Sequence, residues 1–513
     1  MLRAGALGCI GFGLINVACI PAALAQSNDS ASNSTTKVDA TPESSTAPVP
    51  TTSATPATPV APAAPPAASS GSSNGAEYDA VLGWKGWNIP FPSFSRTILQ
   101  DKGGFRTKMA EHGLGLFVMN DLLFSTNLYD EPRSGPVHNP FLNTNQTYNG
   151  QKPTTSDSLQ FFLTYDLGRL GIPNGQLQYQ QSVACSTYQG YIPCLGSLAA
   201  LSYYQTTADK SLEMRVGVYA LQFDFAGAFV AGNLSNSLGP GSQPLTLLGV
   251  SAAQAVTPAA RLKWNINKST YVQGAVARSL AQGGPSGNLY YDTVRNVSRN
   301  LGWSGNYDQT RELYIGEAGY RVPAGKDQMS TWLRMGAVYN NSYFTDFSKF
   351  GVPGAAKKSG NSAFYALFDR QIFQSAPDGF TARGLYLGGA ATIADPKMTA
   401  IARSFDARVY WIGPFDSRPG DVASIVAGYQ VNSKHLINAV NAYSNVSGTY
   451  GAKDSKSLTV AYLASLATGV YGRVSLNYLS NPGVTYFGPS AANPDQPFMG
   501  KGLLLGMQLS THF

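Results

Sequence analysis

Gly502-Leu503-Leu504-Leu505-Gly506-Met507-Gln508-Leu509-Ser510-Thr511-His512-Phe513 places Leu503, Leu505, Met507, Leu509 and Phe513 on one face of an extended strand. Gln508, Ser510 and His512 fall on the other, because side chains alternate across a strand with a period of two. One face suits hydrocarbon and the other suits water. The same division appears in 403–412, where Phe405, Ala407, Val409 and Trp411 oppose Asp406, Arg408 and Tyr410. It appears again in 158–167, where Leu159, Phe161, Leu163, Tyr165 and Leu167 oppose Gln160, Thr164 and Asp166. A soluble sandwich also alternates, so the spacing of such segments has to decide the fold.

Working back from the last segment, strands are expected at 113–124, 158–167, 176–184, 197–206, 211–221, 259–267, 270–279, 310–321, 330–340, 362–371, 382–392, 403–412, 421–431, 456–466, 470–479 and 502–513. The connections between them alternate long and short nearly throughout, as in outer-membrane barrels with long external loops and short periplasmic turns. The segment 435–445 stays in a connection, since a strand there would make the count odd. The expected fold is all-β: a transmembrane antiparallel β-barrel of about 16 strands over 113–513, closed so that no strand edge faces lipid. A barrel of this size encloses an aqueous channel, whereas eight strands are filled by their own side chains. A plugged transporter would need a plug domain ahead of the barrel, and the pre-barrel segment 77–112 is too short for one.

Composition agrees. Only 13% of the 513 residues are charged, with 54 Gly, 28 Tyr and a mean hydropathy of −0.11, against roughly 25% charged in soluble domains. No run after residue 26 approaches the ~20 apolar residues of a membrane helix. A net charge of +7, spread over so long a chain, argues against nucleic-acid binding. Residues 1–25 read as a secretory signal peptide, with Arg3, an apolar stretch, and Ala23-Leu24-Ala25 before Gln26. Lipoprotein processing at Cys19 would want an aliphatic residue where Asn16 stands. Residues 26–76 are rich in Pro, Ser, Thr and Ala and are expected to be a disordered linker. That linker reads either as a plain tether or as a spacer reaching the cell wall. Cys185 and Cys194, in an oxidising compartment, are expected to form a disulfide. His112, His138, His435 and His512 are scattered, so no metal site and no cofactor are expected.

Several segments carry a resemblance. Gly413-Pro414-Phe415-Asp416-Ser417-Arg418-Pro419-Gly420-Asp421 is the clearest, followed by Leu212-Glu213-Met214-Arg215-Val216-Gly217 and Pro258-Ala259-Ala260-Arg261-Leu262 leading to Tyr271-Val272-Gln273. Gly319-Tyr320 and Asn477-Tyr478-Leu479-Ser480-Asn481-Pro482-Gly483 complete the set. Taken in their order along the chain, they resemble the OprB family of carbohydrate-selective porins over most of 113–513. The sequence departs from the family at 457–466, where glutamates are often found. The resemblance implies passive diffusion of sugars, glucose-like monosaccharides among them, across the bacterial outer membrane.

A channel for neutral, hydroxyl-rich solutes needs paired donors and acceptors and aromatic walls, without a strong field of one sign. The strand faces place Glu213, Arg215, Lys263, Arg311, Glu317, Arg321, Arg334, Asp369, Asp406, Arg408 and Arg473 toward the lumen. Glu213, Arg215, Arg334, Asp369, Asp406, Arg408 and Arg473 are the substrate-channel candidates, with Trp332 as a stacking surface. Glu213/Arg215 and Asp406/Arg408 are same-face neighbours that would form ladders for hydroxyls. The long connection 222–258 carries one charge, Asp224, and is apolar enough to fold inward; Phe225 and Phe229 are its constriction candidates. A loop covering the external rim is the competing reading. Arg418 and Asp421 are expected to be structural turn residues, and Phe513 a signal for the barrel-assembly machinery. The alternatives are a general or organic-acid porin, a barrel adhesin, or an outer-membrane hydrolase. Ser433 and His435 are the only pair tempting a hydrolase reading, and they lack an orienting acid. Neutral sugars and outer-membrane lipid are the expected partners.

Overall fold

The computed structural model describes residues 79, 81–87, 96–129, 150–187, 194–226, 242–252, 255–280, 293, 297, 301, 310–349, 357–375, 380–442, 444, 449–481, 485–487 and 501–513. The expected signal peptide 1–25, the expected linker 26–76 and Phe229 lie outside the described residues. Among the described residues are eighteen strands. They are β1 (Leu114–Asn127), β2 (Thr154–Asp166), β3 (Gly175–Ser186), β4 (Cys194–Thr206), β5 (Leu212–Tyr219) and β6 (Thr257–Asn265). Next come β7 (Thr270–Arg278), β8 (Glu312–Val322), β9 (Thr331–Thr345), β10 (Lys357–Gln374), β11 (Gly384–Ala394) and β12 (Ile401–Ile412). The series ends with β13 (Val422–Asn432), β14 (Thr449–Gly451), β15 (Asp454–Ala467), β16 (Val470–Ser480), β17 (Thr485–Phe487) and β18 (Lys501–His512).

Sixteen of these close into one antiparallel barrel, while β14 and β17 form a separate two-stranded clip. Each strand expected from the alternation is present, with its ends shifted by a few residues. The seam pairs β1 with β18, Met119 lying opposite His512 and Leu123 opposite Gln508. The outward positions form an apolar band: Leu262, Trp264, Met335, Phe364, Ile425 and Val474 are all more than half exposed. The inward positions of the same strands carry Arg261, Arg334, Asn361, Ser424 and Arg473. This is the two-sided pattern that lipid outside and water inside demand.

Strands β9 and β10 reach 15 and 18 residues, beyond the ~9–11 needed to cross the hydrocarbon. Their connection therefore shrinks to 346–356. The tightest turn, 468–469, uses Gly469 at φ +74°, a conformation favouring glycine. A Cβ there would stand 2.5 Å from the backbone nitrogen of Ile98. Ile98 in turn donates to the carbonyl of His512 at 2.8 Å, so the pre-barrel chain is tied to this end of the wall.

The described part of 435–445 holds no strand. It folds as a helix, Lys434–Asn441, whose Ser433 hydroxyl caps the backbone N–H of Leu436 at 3.2 Å and donates to the carbonyl of Pro396. Ser433 is thus a capping residue, which removes the hydrolase pair with His435. The buried side of the helix, Leu436 and Val440, packs with Phe347, Ile401 and Leu247. Leu247 belongs to a second short helix, Ser242–Leu247, within the long β5–β6 connection. In the turn after β12, Asp421 receives Arg418, the Tyr462 hydroxyl and, at 2.8 Å, the N–H of Ser465. Arg418 and Asp421 therefore stitch a turn together.

Candidate functional site

The lumen is narrowed from one side by the chain after β5. Residues 220–226 and 242–252 pack against the inner faces of the barrel strands, with Phe225, Leu221, Leu248 and Val250 almost wholly buried beside Phe162, Ile315 and Tyr365. Polar contacts pin the segment as well. Arg334 on β9 donates to the carbonyl of Phe225 at 2.8 Å, and Gln273 on β7 donates to that of Asp224 at 2.7 Å. Arg215 on β5 meets the Asp224 carboxylate at 3.1 Å, and Arg261 on β6 approaches it at 3.6 Å. A buried carboxylate facing two guanidiniums is tolerable only because all three are paired. Phe225 thus lies against the inner faces of the barrel strands.

Beside this segment Glu317 on β8 sits in a cage. Tyr271 and Gln273 donate to its Oε1 at 3.0 and 2.8 Å, and Tyr365 donates to its Oε2 at 2.9 Å. Both tyrosine rings lie over glycines on the neighbouring strand. A Cβ on Gly319 would stand 2.1 Å from Tyr271, and one on Gly336 would stand 2.4 Å from Tyr365. Here the glycines make room for flat aromatic walls, a pairing that also shields bare backbone.

Trp332 lies under two guanidiniums, Arg334 at 3.8 Å and Arg321 at 4.6 Å from the ring centroid, and is only 3% exposed. Its face is occupied by cation–π contacts and is not an open stacking surface for a solute. The residue paired with Trp332 on the next strand is Asp369. Asp369 receives Arg408 through both oxygens, while Arg408 also reaches Asp406 at 2.7 Å. Tyr410 donates to Asp369 at 3.2 Å and stacks on Tyr386 with centroids 4.8 Å apart.

Of the two same-face pairs, Asp406 and Arg408 meet as an ion pair. Glu213 and Arg215 do not: Glu213 turns to Lys263 at 3.2 Å and Arg261 at 3.6 Å, because Arg215 is taken by Asp224. Arg473 faces inward on β16, apart from these clusters, and is buried. The residues that sequence reading missed are Arg261, Tyr271, Gln273 and Tyr365, together with Trp84 and Trp87 from the pre-barrel segment. Arg261 was findable, since it lies two residues from Lys263 on the same face. Cys185 and Cys194 are register partners on β3 and β4 and are joined by a disulfide. Among the described residues there is no cluster able to hold a metal ion.

The family model for the carbohydrate-selective porins, OprB family, matches residues 196–513. The chain belongs to the OprB family. Membership makes it a passive carbohydrate-selective porin of the bacterial outer membrane rather than an enzyme. Among solved structures, Pseudomonas putida OprB at high pH matches with TM-score 0.61 and 16% identity, covering 82% of this chain and 100% of that one. The same protein at low pH gives 0.46 and 14%, over 82% and 99%. Salmonella typhi OmpF in complex with daunomycin gives 0.46 and 8%, over 79% and 99%. At such identities the OprB likeness speaks for the fold. No curated protein sequence matches the chain.

Proposed function

We propose that this OprB-family porin passes glucose-like monosaccharides through a lumen whose charges are neutralised within its own wall. The observation that carries the reading is the pairing of the lumen ions: Arg215 with Asp224, Lys263 with Glu213, and Arg408 with Asp369 and Asp406. Such a wall offers donors and acceptors to hydroxyls while presenting little net field to ions. The inward packing around Phe225 supports a narrow passage on one side, and Glu213, Arg334 and Arg473 are further channel residues in this reading.

In planar bilayers the purified protein should form a channel whose ion conductance falls in millimolar glucose, with phosphate reducing it no more than chloride. Liposomes carrying it should swell faster in monosaccharides than in zwitterions of similar size. A channel indifferent to every sugar would make it a general porin; one blocked by carboxylates instead would make it an organic-acid porin.

Phe513 supports a further part of this reading, recognition by the barrel-assembly machinery, through its aromatic side chain at the end of an amphipathic last strand. The proline-rich 26–76 would serve as a linker after signal cleavage, long enough to reach toward the cell wall. Its extended contour is about 150 Å and its flexible-coil span nearer 40 Å.

A further inference from the structure

Residues 81–87 precede the barrel in sequence yet lie inside it. Their backbone carbonyls accept from wall side chains: Leu82 from Thr164 at 2.6 Å, Gly83 from Gln176 at 3.0 Å, Lys85 from Gln178 at 2.8 Å and Gly86 from Arg261 at 3.1 Å. Every one of these donors points inward, from β2, β3 or β6. The segment's two tryptophans pack on lumen aromatics. Trp84 meets Phe162 edge-on at 5.4 Å, and Trp87 meets Phe223 at 4.7 Å. Leu82 and Trp84 are 3% and 6% exposed. The contact thus joins four hydrogen-bonded carbonyls to two large aromatic anchors, which together bury much apolar surface.

We propose that 81–87 is a specificity-determining strap, a fixed wedge that fills the β2–β6 side of the lumen. Solute is then confined to the opposite side, along the wall that carries Asp369, Arg408 and Arg473. The reasoning is chemical as well as steric. Thr164, Gln176, Gln178 and Arg261 are the kinds of donor that bind sugar hydroxyls. With the strap in place they are occupied by its carbonyls, so the wedge removes a hydroxyl-binding surface along with open cross-section. Because carbonyls are common to all residues, the strap's hold on the wall resides mainly in Trp84 and Trp87.

This inference rests on the porin reading, and the two fail separately. The porin reading fails if the wild-type protein forms no channel. The strap inference is tested on channels that do form, in planar bilayers, with the full chain carrying either a deletion of 81–87 or the pair Trp84→Ala and Trp87→Ala. Single-channel conductance should rise about twofold or more, since pore cross-section governs it, and glucose block should weaken. Unchanged conductance and block in either variant, inserted as a heat-modifiable barrel, would overturn the inference. A Leu82→Cys variant tests the fixed position independently. A membrane-impermeant thiol reagent added to either side of the open channel should leave the current unaltered. Rapid modification with a change in current would show that the strap leaves the lumen, and would overturn the fixed wedge.

Discussion

Arg408 on β12 grips Asp369 on β10 across the whole width of β11, with Nε and Nη2 each 3.0 Å from a carboxylate oxygen. The span is open because the inward residue between them is Gly388. A Cβ there would stand 2.4 Å from the Asp369 Oδ1 and 2.6 Å from the Arg408 Nε. Gly388→Ala should therefore separate the pair and cost about 2 kcal/mol, the scale of hydrogen bonds to charged groups. The temperature at which the folded form loses its fast gel mobility should fall, and the reversal potential in a salt gradient should shift. A variant with wild-type values of both would show that the wall tolerates a side chain there.

The Glu317 cage makes a second prediction. Glu317→Gln preserves shape but removes one negative charge from beside Arg334, deprives both tyrosine hydroxyls of an anionic acceptor and turns an amide NH2 toward one side of the cage. Permeability should move toward anions, and glucose block should weaken by a few-fold, the scale of one charge-assisted hydrogen bond reduced to a neutral one. Bilayer reversal potentials and sugar titrations of the conductance check both expectations.

Two of the contacts that hold the inward segment can be tested singly, one an aromatic ring and one a guanidinium. Phe225 is fully buried, so Phe225→Ala should destabilise by about 3 kcal/mol, the usual cost of emptying an aromatic site. Arg334→Met keeps the length of the side chain but removes the donor to the Phe225 carbonyl. That variant should keep its fold and show noisier open-channel current with weaker sugar block. Quiet, wild-type current from Arg334→Met would mean that the other contacts hold the segment without this hydrogen bond.

The cysteine pair predicts a labelling result. Cys185 and Cys194 should resist thiol reagents on intact cells and become reactive after mild reduction. Because their strands are already hydrogen-bonded as neighbours, closing so short a loop should contribute about 2–3 kcal/mol at most. Reduction should lower thermal stability modestly without closing the channel. Ready labelling before reduction would show that the bond does not form in cells.

Much of the barrel is legible because its determinants are local. The period-two alternation within β2, β12 or β18 states which face meets lipid, and turn spacing states which end is which. What stays hidden is contact at long range. The donor Gln176 and the Gly83 carbonyl are separated by 93 residues, and Trp84 and Trp87 show no strand alternation that would assign them to the wall. Gly388 is one glycine among 54, and nothing along the chain marks it as the gap beneath an arginine. The face of Trp332 is claimed by Arg321 from an adjacent strand and Arg334 from its own. Side-chain competition of that kind is settled in three dimensions only.

The seam between β1 and β18 has a consequence for manufacture. The backbone of Phe513 both donates to and accepts from Val118, at 2.7 and 3.0 Å, so the barrel is closed by hydrogen bonds from β18 and the residue that follows it. A chain released by the ribosome before β18 would keep fifteen well-patterned barrel strands and still present two bare edges. In hydrocarbon each unpaired group on those edges costs several kcal/mol. Translation errors that would pass unnoticed in a soluble protein's tail are here converted into failure to close, and a truncated product is barred from the membrane by its own geometry.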